Sequence, residues 1–340
     1  MEKPLLTTKH ILDVETQKYS NEVNNAIKKG ILHLKHNPCL CGSRGSDVLI
    51  SSNDMYNINM EIVLCKECGL IRNKYIFDED SSNLFYRQYY RKLYNSNSEI
   101  NSYFNKQITR GLGFVKLLKE LNIFDKINNI AEFGCGAGGI LYPFHNEQKN
   151  VIGVDFDKDY LNFGQKNNIN TVYGDFFTII EDDSIDLVIM SHILEHLNSP
   201  IDDLLKTINK IKTGGYLLVE VPGLYWKSPN NWFNPILYFQ NAHVYQYFYK
   251  QFLCKLFELL KLKVLYGDER CTFICQKNCS SIIDNNICNQ LFKTDYKKVI
   301  SYLKYNQRKY RINIMKDKLY TFLEKVYHKN KQLFSKIASK

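Results

Sequence analysis

The chain has 340 residues, 44% of them hydrophobic and 24% charged, which suits one medium globular domain with smaller attachments. No stretch approaches the ~20 consecutive apolar residues needed to span a bilayer, and Met1–His10 lacks an apolar run of signal-peptide length, so a reducing, cytoplasmic setting is expected. The net charge of +10 is lopsided: Lys293–Lys340 carries 14 Lys+Arg against 3 Asp+Glu, which leaves the rest close to neutral.

Residues 1–36 read as a polar, helical leader, with a helix around Tyr19–Leu34. Residues 37–80 hold Pro38-Cys-Leu-Cys-Gly-Ser43 and Cys65-Lys-Glu-Cys-Gly-Leu70 on either side of a strand-like run, Asn59–Leu64. Cysteines clustered this way point to metal more than to disulfides. Four thiolates on two turns, Cys39, Cys41, Cys65 and Cys68, supply the tetrahedral shell of a structural Zn²⁺. The glycine after each pair lets backbone amides reach the sulfurs. The first pair is one residue shorter than Cys-x-x-Cys. Ligation by Cys39 from a distorted turn, substitution by His36, a weakened site and four free thiols in a metal-less hairpin all stay open.

Residues 81–125 form a helical connector, with a Tyr/Arg-rich stretch (85–94) and a helix from about Ile108 to Leu121. Over 126–278 short apolar runs (Ile127–Phe133, Val151–Val154, Thr171–Tyr173, Ile185–Met190, Tyr216–Val221) alternate with helix candidates such as Lys158–Asn167 and Pro200–Ile211. That alternation predicts βαβ units on a parallel sheet. Tyr245–Leu260 reads as a helix, and Lys263–Tyr266 and Cys271–Gln276 as closing strands. In the basic tail, 279–340, apolar residues from Ile312 to Ile337 recur at helical spacing. That stripe packs on the body, or it makes peripheral contact with anionic lipid or glycan.

The strongest signal is Glu132-Phe-Gly-Cys-Gly-Ala-Gly-Gly139, directly after the first strand of the series. Glycines there allow a tight turn and close approach of backbone to a ligand. Asp155, at the end of the next strand, suits any cofactor presenting ribose hydroxyls. The loop alone leaves a dinucleotide and S-adenosylmethionine both open.

The surrounding blocks resemble the class I S-adenosylmethionine-dependent methyltransferases, from about Asn129 to Gln276. Glu132-Phe-Gly-Cys-Gly-Ala-Gly is similar to that family's first motif, Gly153-Val-Asp-Phe-Asp to its second and Gly174-Asp-Phe to its third. Asp186-Leu-Val-Ile-Met-Ser-His-Ile-Leu-Glu-His-Leu is similar to the fourth strand and the segment after it, and Thr213-Gly-Gly-Tyr-Leu-Leu-Val-Glu-Val-Pro to the fifth. The resemblance implies an α/β, Rossmann-like, doubly wound, mostly parallel sheet, flanked by a small N-terminal zinc-binding module and a helical C-terminal tail. It also implies S-adenosylmethionine as cofactor. Gly134 and Gly136 would face its amino-acid part, Asp155 its ribose, and Asp175 and Phe176 its adenine, while Ser191 and His192 would lie at its sulfonium. Glu132, Phe133, Cys135, Gly138 and Phe156 complete the expected lining.

The cysteine pairs and the Tyr/Arg stretch resemble the N-terminal modules of many sugar methyltransferases, although here Pro38 stands where the first cysteine should be. His243 resembles a histidine that recurs before the penultimate helix of relatives acting on sugars. His243 and His192 are the catalytic candidates, as bases for a hydroxyl acceptor. Glu195 and His196 read as a helix pair facing solvent or a neighbouring loop. Trp226, Trp232, Phe233 and Tyr238 offer an aromatic platform or a packed lid.

A sugar, sugar-containing small molecule or glycan is therefore the expected acceptor. O-methylation is preferred because the residues after Gln276 are too few for the further domain of many C-methylating relatives. A nucleic-acid methyltransferase and a non-catalytic scaffold with a relic pocket are the alternatives. Nucleic acid fits poorly, since the body is near-neutral and Ser191-His-Ile-Leu stands where many base-methylating enzymes carry Asn/Asp-Pro-Pro-aromatic.

Overall fold

The computed structural model describes residues 4–6, 10–43, 45–94, 100–226, 234–278 and 296–316. The chain opens with α1 (Val14–Lys28), begun by Asp13, whose carboxylate accepts the Thr16 N–H, as a good N-cap does. This helix starts and ends earlier than the apolar spacing suggests, and Leu34 belongs instead to a strand. Five short strands come next: β1 (Leu34–His36), β2 (Asp47–Asn53), β3 (Asn59–Cys65), β4 (Ile71–Asn73) and β5 (Tyr75–Phe77). β1 pairs with β5, and β2, β3 and β4 form an antiparallel meander. Then come α2 (Glu79–Phe85), a π-helical turn (Tyr86–Tyr90), α3 (Arg91–Tyr94) and the long α4 (Ile100–Glu120). The buried side of α4, Phe104, Gly111, Phe114, Val115 and Leu118, keeps to the 3.6-residue period of a helix packed on one face.

From Asn129 the chain alternates as expected: β6 (Asn129–Phe133), α5 (Leu141–Asn146), β7 (Asn150–Asp155), α6 (Lys158–Lys166), β8 (Thr171–Tyr173), α7 (Phe176–Ile179), β9 (Ile185–Ser191), α8 (Pro200–Lys210) and β10 (Ile211–Glu220). β11 (Tyr245–Tyr247), α9 (Lys250–Leu259), β12 (Leu262–Gly267) and β13 (Thr272–Lys277) complete it. Seven strands make one sheet in the order β12-β13-β10-β9-β6-β7-β8. β8, β7, β6, β9 and β10 run parallel, and β13 is antiparallel to both neighbours. Helices cover both faces, so the central strands are apolar on both sides: Ile130, Ala131, Leu187, Val188 and Ile189 are all fully buried. This is a doubly wound, Rossmann-like, mostly parallel sheet. The strand order reverses between β6 and β9, and open α/β sheets bind their ligands at such a reversal, beyond the carboxyl ends of the strands.

Tyr245–Leu260 is not one helix. Its first residues, β11, add to the N-terminal meander, Tyr245 opposite Arg72 and Tyr247 opposite Ile71, giving a four-stranded sheet β11-β4-β3-β2. A single buried cluster accordingly unites Cys65, Cys68, Leu70 and Ile71 with Val188, Met190, Val219, Phe252 and Leu256. Among the described residues no helix is long and apolar enough to cross a membrane. Residues 296–316 are helical, whereas most of the expected amphipathic stripe, along with Trp232 and Phe233, lies outside the described residues.

Candidate functional site

The loop after β6 turns through Gly134, Gly136 and Gly138, at φ of 69°, 54° and 71°. At Gly134 the requirement is double, since a left-handed residue there would also drive a Cβ to 2.1 Å from Ile193 Cδ1. Ile193 lies just past β9, so this contact seats the first loop against the segment carrying His192. Asp155, ending β7, closes the loop from the other side: its Oδ2 accepts the Gly136 N–H at 2.8 Å and its Oδ1 the Asp157 N–H at 2.9 Å. A carboxylate has about four lone-pair sites, so each oxygen keeps acceptor capacity for a ligand hydroxyl. Burial raises this carboxyl above its usual range.

Glu132 lies beneath the loop, fully buried, with no hydrogen-bond partner for Oε2. Burial, then the charge of Asp155, pushes its carboxyl well above the usual range. A buried carboxyl with one unpartnered oxygen beside a glycine loop has hydrogen-bonding capacity to offer a ligand. The amino-acid end of S-adenosylmethionine carries an ammonium, and the ribose offers hydroxyls to Asp155, so these residues fit that cofactor. Phe133 stacks on Phe176 at 4.8 Å and 9°, and Phe176 is 1% exposed, so that ring is core rather than open wall. Asp175 caps α7 through the Thr178 N–H and hydroxyl. Cys135 is buried, its thiol raised by burial. Phe156 and Tyr173 stand exposed together, ring centroids 6.0 Å apart.

β9 ends in Ser191, and His192 follows it at φ 56°, a backbone state that costs an L-residue about 1–2 kcal/mol and is concentrated at functional sites. Ser191 donates its hydroxyl hydrogen to Glu220 Oε2 at 3.2 Å. The His192 imidazole is hydrogen-bonded through Nδ1 to Glu195 Oε1 at 3.1 Å, and its Nε2 lies 3.9 Å from Glu220 Oε2. Of the two readings of the Glu195–His196 pair, facing solvent or facing a neighbouring loop, the first does not hold for Glu195. It is fully buried, in a 3-10 turn tied to the N-terminal sheet because its carbonyl accepts the Val244 N–H. Burial opposes the charge of Glu195, yet the hydrogen bond from His192 and the neighbouring histidines bring its carboxyl down to about 2. Burial pushes His243 down to about 3 and lowers His196 as well.

His243 is 6% exposed and packs edge-on to His196, ring centroids 4.8 Å apart. His196 Nδ1 is 3.0 Å from the Ala242 carbonyl and 3.3 Å from Tyr86 Oη. The structure thus brings together His192, Glu195, His196 and His243, and sets Tyr86 of the Tyr/Arg stretch against them. Three residues absent from the sequence-based lining also belong here. Arg110 of α4 pairs with Glu220 at 3.1 Å, and Tyr103 of the same helix lies within 3.4 Å of where a Gly136 Cβ would stand. α4 carries no local motif, and although Glu220 falls within the fifth-strand block, only the fold sets it against Arg110 and His192.

In the N-terminal sheet, Cys39 Sγ lies 3.3 Å from Cys68 Sγ and Cys41 Sγ 3.7 Å from Cys65 Sγ, and all four sulfurs fall within 4.8 Å of one another. Tetrahedral Zn–S bonds of about 2.3 Å put sulfurs about 3.8 Å apart, so the set fits a zinc ion despite the shortened first pair. Gly69 (φ 73°) turns the second pair, donating its N–H to the Cys65 carbonyl at 2.9 Å. Hydrogen bonds from the other three thiols drive Cys65 down and push Cys68 up. Arg72, 1% exposed, grips Asp47 through two 3.0 Å bonds beside the cluster.

Residues 101–266 match a family model described as a methyltransferase domain. No curated protein matches the chain. Among solved structures, an S-adenosylmethionine-dependent methyltransferase from Archaeoglobus fulgidus is 20% identical, over 56% of this chain and 87% of its own, with a TM-score of 0.37. A possible histamine N-methyltransferase from Thermotoga maritima is 14% identical over 52% of this chain and all of its own, TM-score 0.34. Another S-adenosylmethionine-dependent methyltransferase, from Mesorhizobium loti, is 19% identical over 30% of this chain, TM-score 0.26, and this chain spans 49% of its length.

Proposed function

Residues 101–266 form a class I S-adenosylmethionine-dependent methyltransferase domain, and on that premise we propose that the protein methylates a hydroxyl oxygen of a sugar or sugar-containing acceptor. The cofactor, when bound, supplies a methyl group on a sulfonium, whose carbon–sulfur bond breaks as the acceptor oxygen attacks. Asp155 would hold the ribose hydroxyls and Glu132 the ammonium, with the Gly134–Gly138 turn leaving its backbone open to both.

The observation that carries the reading is the half-exposed His192 imidazole, fixed through Nδ1 by the buried Glu195 carboxylate at 3.1 Å. A carboxylate on one ring nitrogen sets the tautomer and leaves the other free to take a proton. Nε2 is therefore the base for the attacking hydroxyl, with Glu220 3.9 Å beyond it. Methyl transfer is governed mainly by positioning, and Ile193 seated on Gly134 holds His192 beside the cofactor loop. The sugar acceptor is supported by the resemblance of the cysteine and Tyr/Arg segments and by the position of Tyr86 against His196. In this reading the four cysteines hold a structural Zn²⁺, since a closed four-sulfur shell leaves no position for a substrate.

Incubation with labelled cofactor and a panel of nucleotide sugars and glycosides tests it by mass spectrometry. A gain of one methyl per sugar, lost in His192→Ala and weakened in Glu195→Gln, is the expected result. Methyl transfer only to RNA or to small amines would remove the sugar reading, and transfer undiminished in His192→Ala would remove the base.

A further inference from the structure

Behind His192, the structure leaves two fully enclosed polar atoms unsatisfied in one place. Glu195 spends Oε1 on His192, while its Oε2 has no partner, and neither has His243 Nδ1. Both side chains are more than nine-tenths buried. A ring nitrogen of His196, a ring nitrogen of His243 and a Glu195 oxygen all lie within 4.8 Å of one another. Buried polar atoms without partners are rare, and each one calls for an occupant.

We propose that Glu195, His196 and His243 are three ligands of a second metal site, distinct from the four cysteines and taking a divalent cation of the zinc type. The donor set selects the cation. Two imidazoles and one carboxylate suit Zn²⁺, Co²⁺ or Ni²⁺, whereas Mg²⁺ and Ca²⁺ require oxygen shells. His196 is arranged as such ligands usually are: its Nδ1 donates to the Ala242 carbonyl at 3.0 Å, which fixes the ring and leaves Nε2 with its lone pair. The His243 main chain is pinned as firmly. Its carbonyl accepts Asn73 Nδ2 at 2.7 Å, and Val244 donates to the Glu195 carbonyl at 2.8 Å. The ligands thus come from the turn after β9 and the segment before β11, held in place by the N-terminal sheet. Three protein ligands leave a coordination position open. The inference concerns metal content alone and stands or falls apart from the choice of acceptor.

Full-length protein produced in cobalt-supplemented minimal medium tests it by metal-to-protein ratio and visible absorption. Two cobalt ions per chain are expected, one with intense thiolate-to-metal bands and one with only the weak bands of a nitrogen and oxygen shell. Glu195→Gln and His243→Asn should each lower the ratio from two to one and keep the thiolate bands. A wild-type protein showing thiolate-bound cobalt alone overturns the proposal, and that reading needs no variant to fold. A second ion that persists in both variants overturns it as well. Binding of S-adenosylhomocysteine, measured on the same samples, reports separately on the methyltransferase pocket.

Discussion

Gly111, in the interior of α4, gives a sharp test of how this helix supports the cofactor loop. On intrinsic propensity, replacing an interior helical glycine with alanine stabilises by about 0.5–1 kcal/mol. The packing opposes this. A Cβ at position 111 would stand 2.4 Å from the Ile140 carbonyl oxygen and 3.0 Å from both Ile140 C and Cα. Ile140 directly succeeds the glycine loop, and both sides of the contact are main chain, so no rotamer can absorb it. The helix must retreat by roughly 1 Å, and overpacking of this kind costs about 1–3 kcal/mol. The cost exceeds the gain, and Gly111→Ala should be net destabilising. Gly113, two residues on, is the internal control, with nothing within 4 Å of its Cβ position; Gly113→Ala should be stabilising. The two variants should therefore differ by about 1–3 kcal/mol in urea unfolding, or several degrees in Tm at about 2–4 °C per kcal/mol. Retreat of α4 also pulls Arg110 from Glu220, so Gly111→Ala should bind S-adenosylhomocysteine more weakly by calorimetry. Equal stability of the two variants, or Gly111→Ala above Gly113→Ala, would refute the close backbone packing.

Asp155→Asn exchanges an ionised acceptor for a neutral amide; charge-assisted hydrogen bonds contribute about 1.5–3 kcal/mol, so the Kd for S-adenosylhomocysteine should rise roughly 10- to 100-fold, and an unchanged Kd would remove Asp155 from the ribose. Asp54 is fully buried and, although it accepts the Tyr56, Ile58 and Asn241 N–H groups, burial pushes its carboxyl up to about 7. The folded state therefore holds a proton that the unfolded chain releases near pH 4, and stability should fall as pH rises between about 4 and 7, by up to about 4 kcal/mol. Urea midpoints across that range should fall more steeply for the wild type than for Asp54→Asn, and parallel slopes would contradict the assignment. Cys68→Ser should lower bound zinc and reduce Tm with early proteolysis of the N-terminal sheet, whereas full zinc content at unchanged Tm would sink the four-sulfur site.

The central sheet was legible because its strands are buried on both faces and read as short apolar runs, Leu187–Met190 above all. The glycine loop and Asp155 were legible because their spacing is local. The features that escaped the sequence depend on distant partners. Tyr245-Gln-Tyr becomes strand only because Arg72 and Ile71 offer it a free edge, and no periodicity within residues 245–260 records that edge. Glu195 looks solvent-facing until β11 is laid over it, and Arg110 acquires meaning only from Glu220 on another element. Cys39 and Cys41 were ambiguous by spacing, and the three-dimensional hairpin is needed to bring their sulfurs to those of Cys65 and Cys68.

The β4–β11 pairing also has a bearing on biosynthesis. At about 5–20 residues per second, the ribosome needs roughly 10–35 s to travel from Arg72 to Tyr245, and throughout that interval the nascent meander presents an unzipped edge of the kind that templates aggregation. β4 is only three residues long and carries a buried arginine clamped to Asp47, a poor template for a foreign strand. The first third of the polypeptide is thus guarded during translation until its own later segment arrives to seal it.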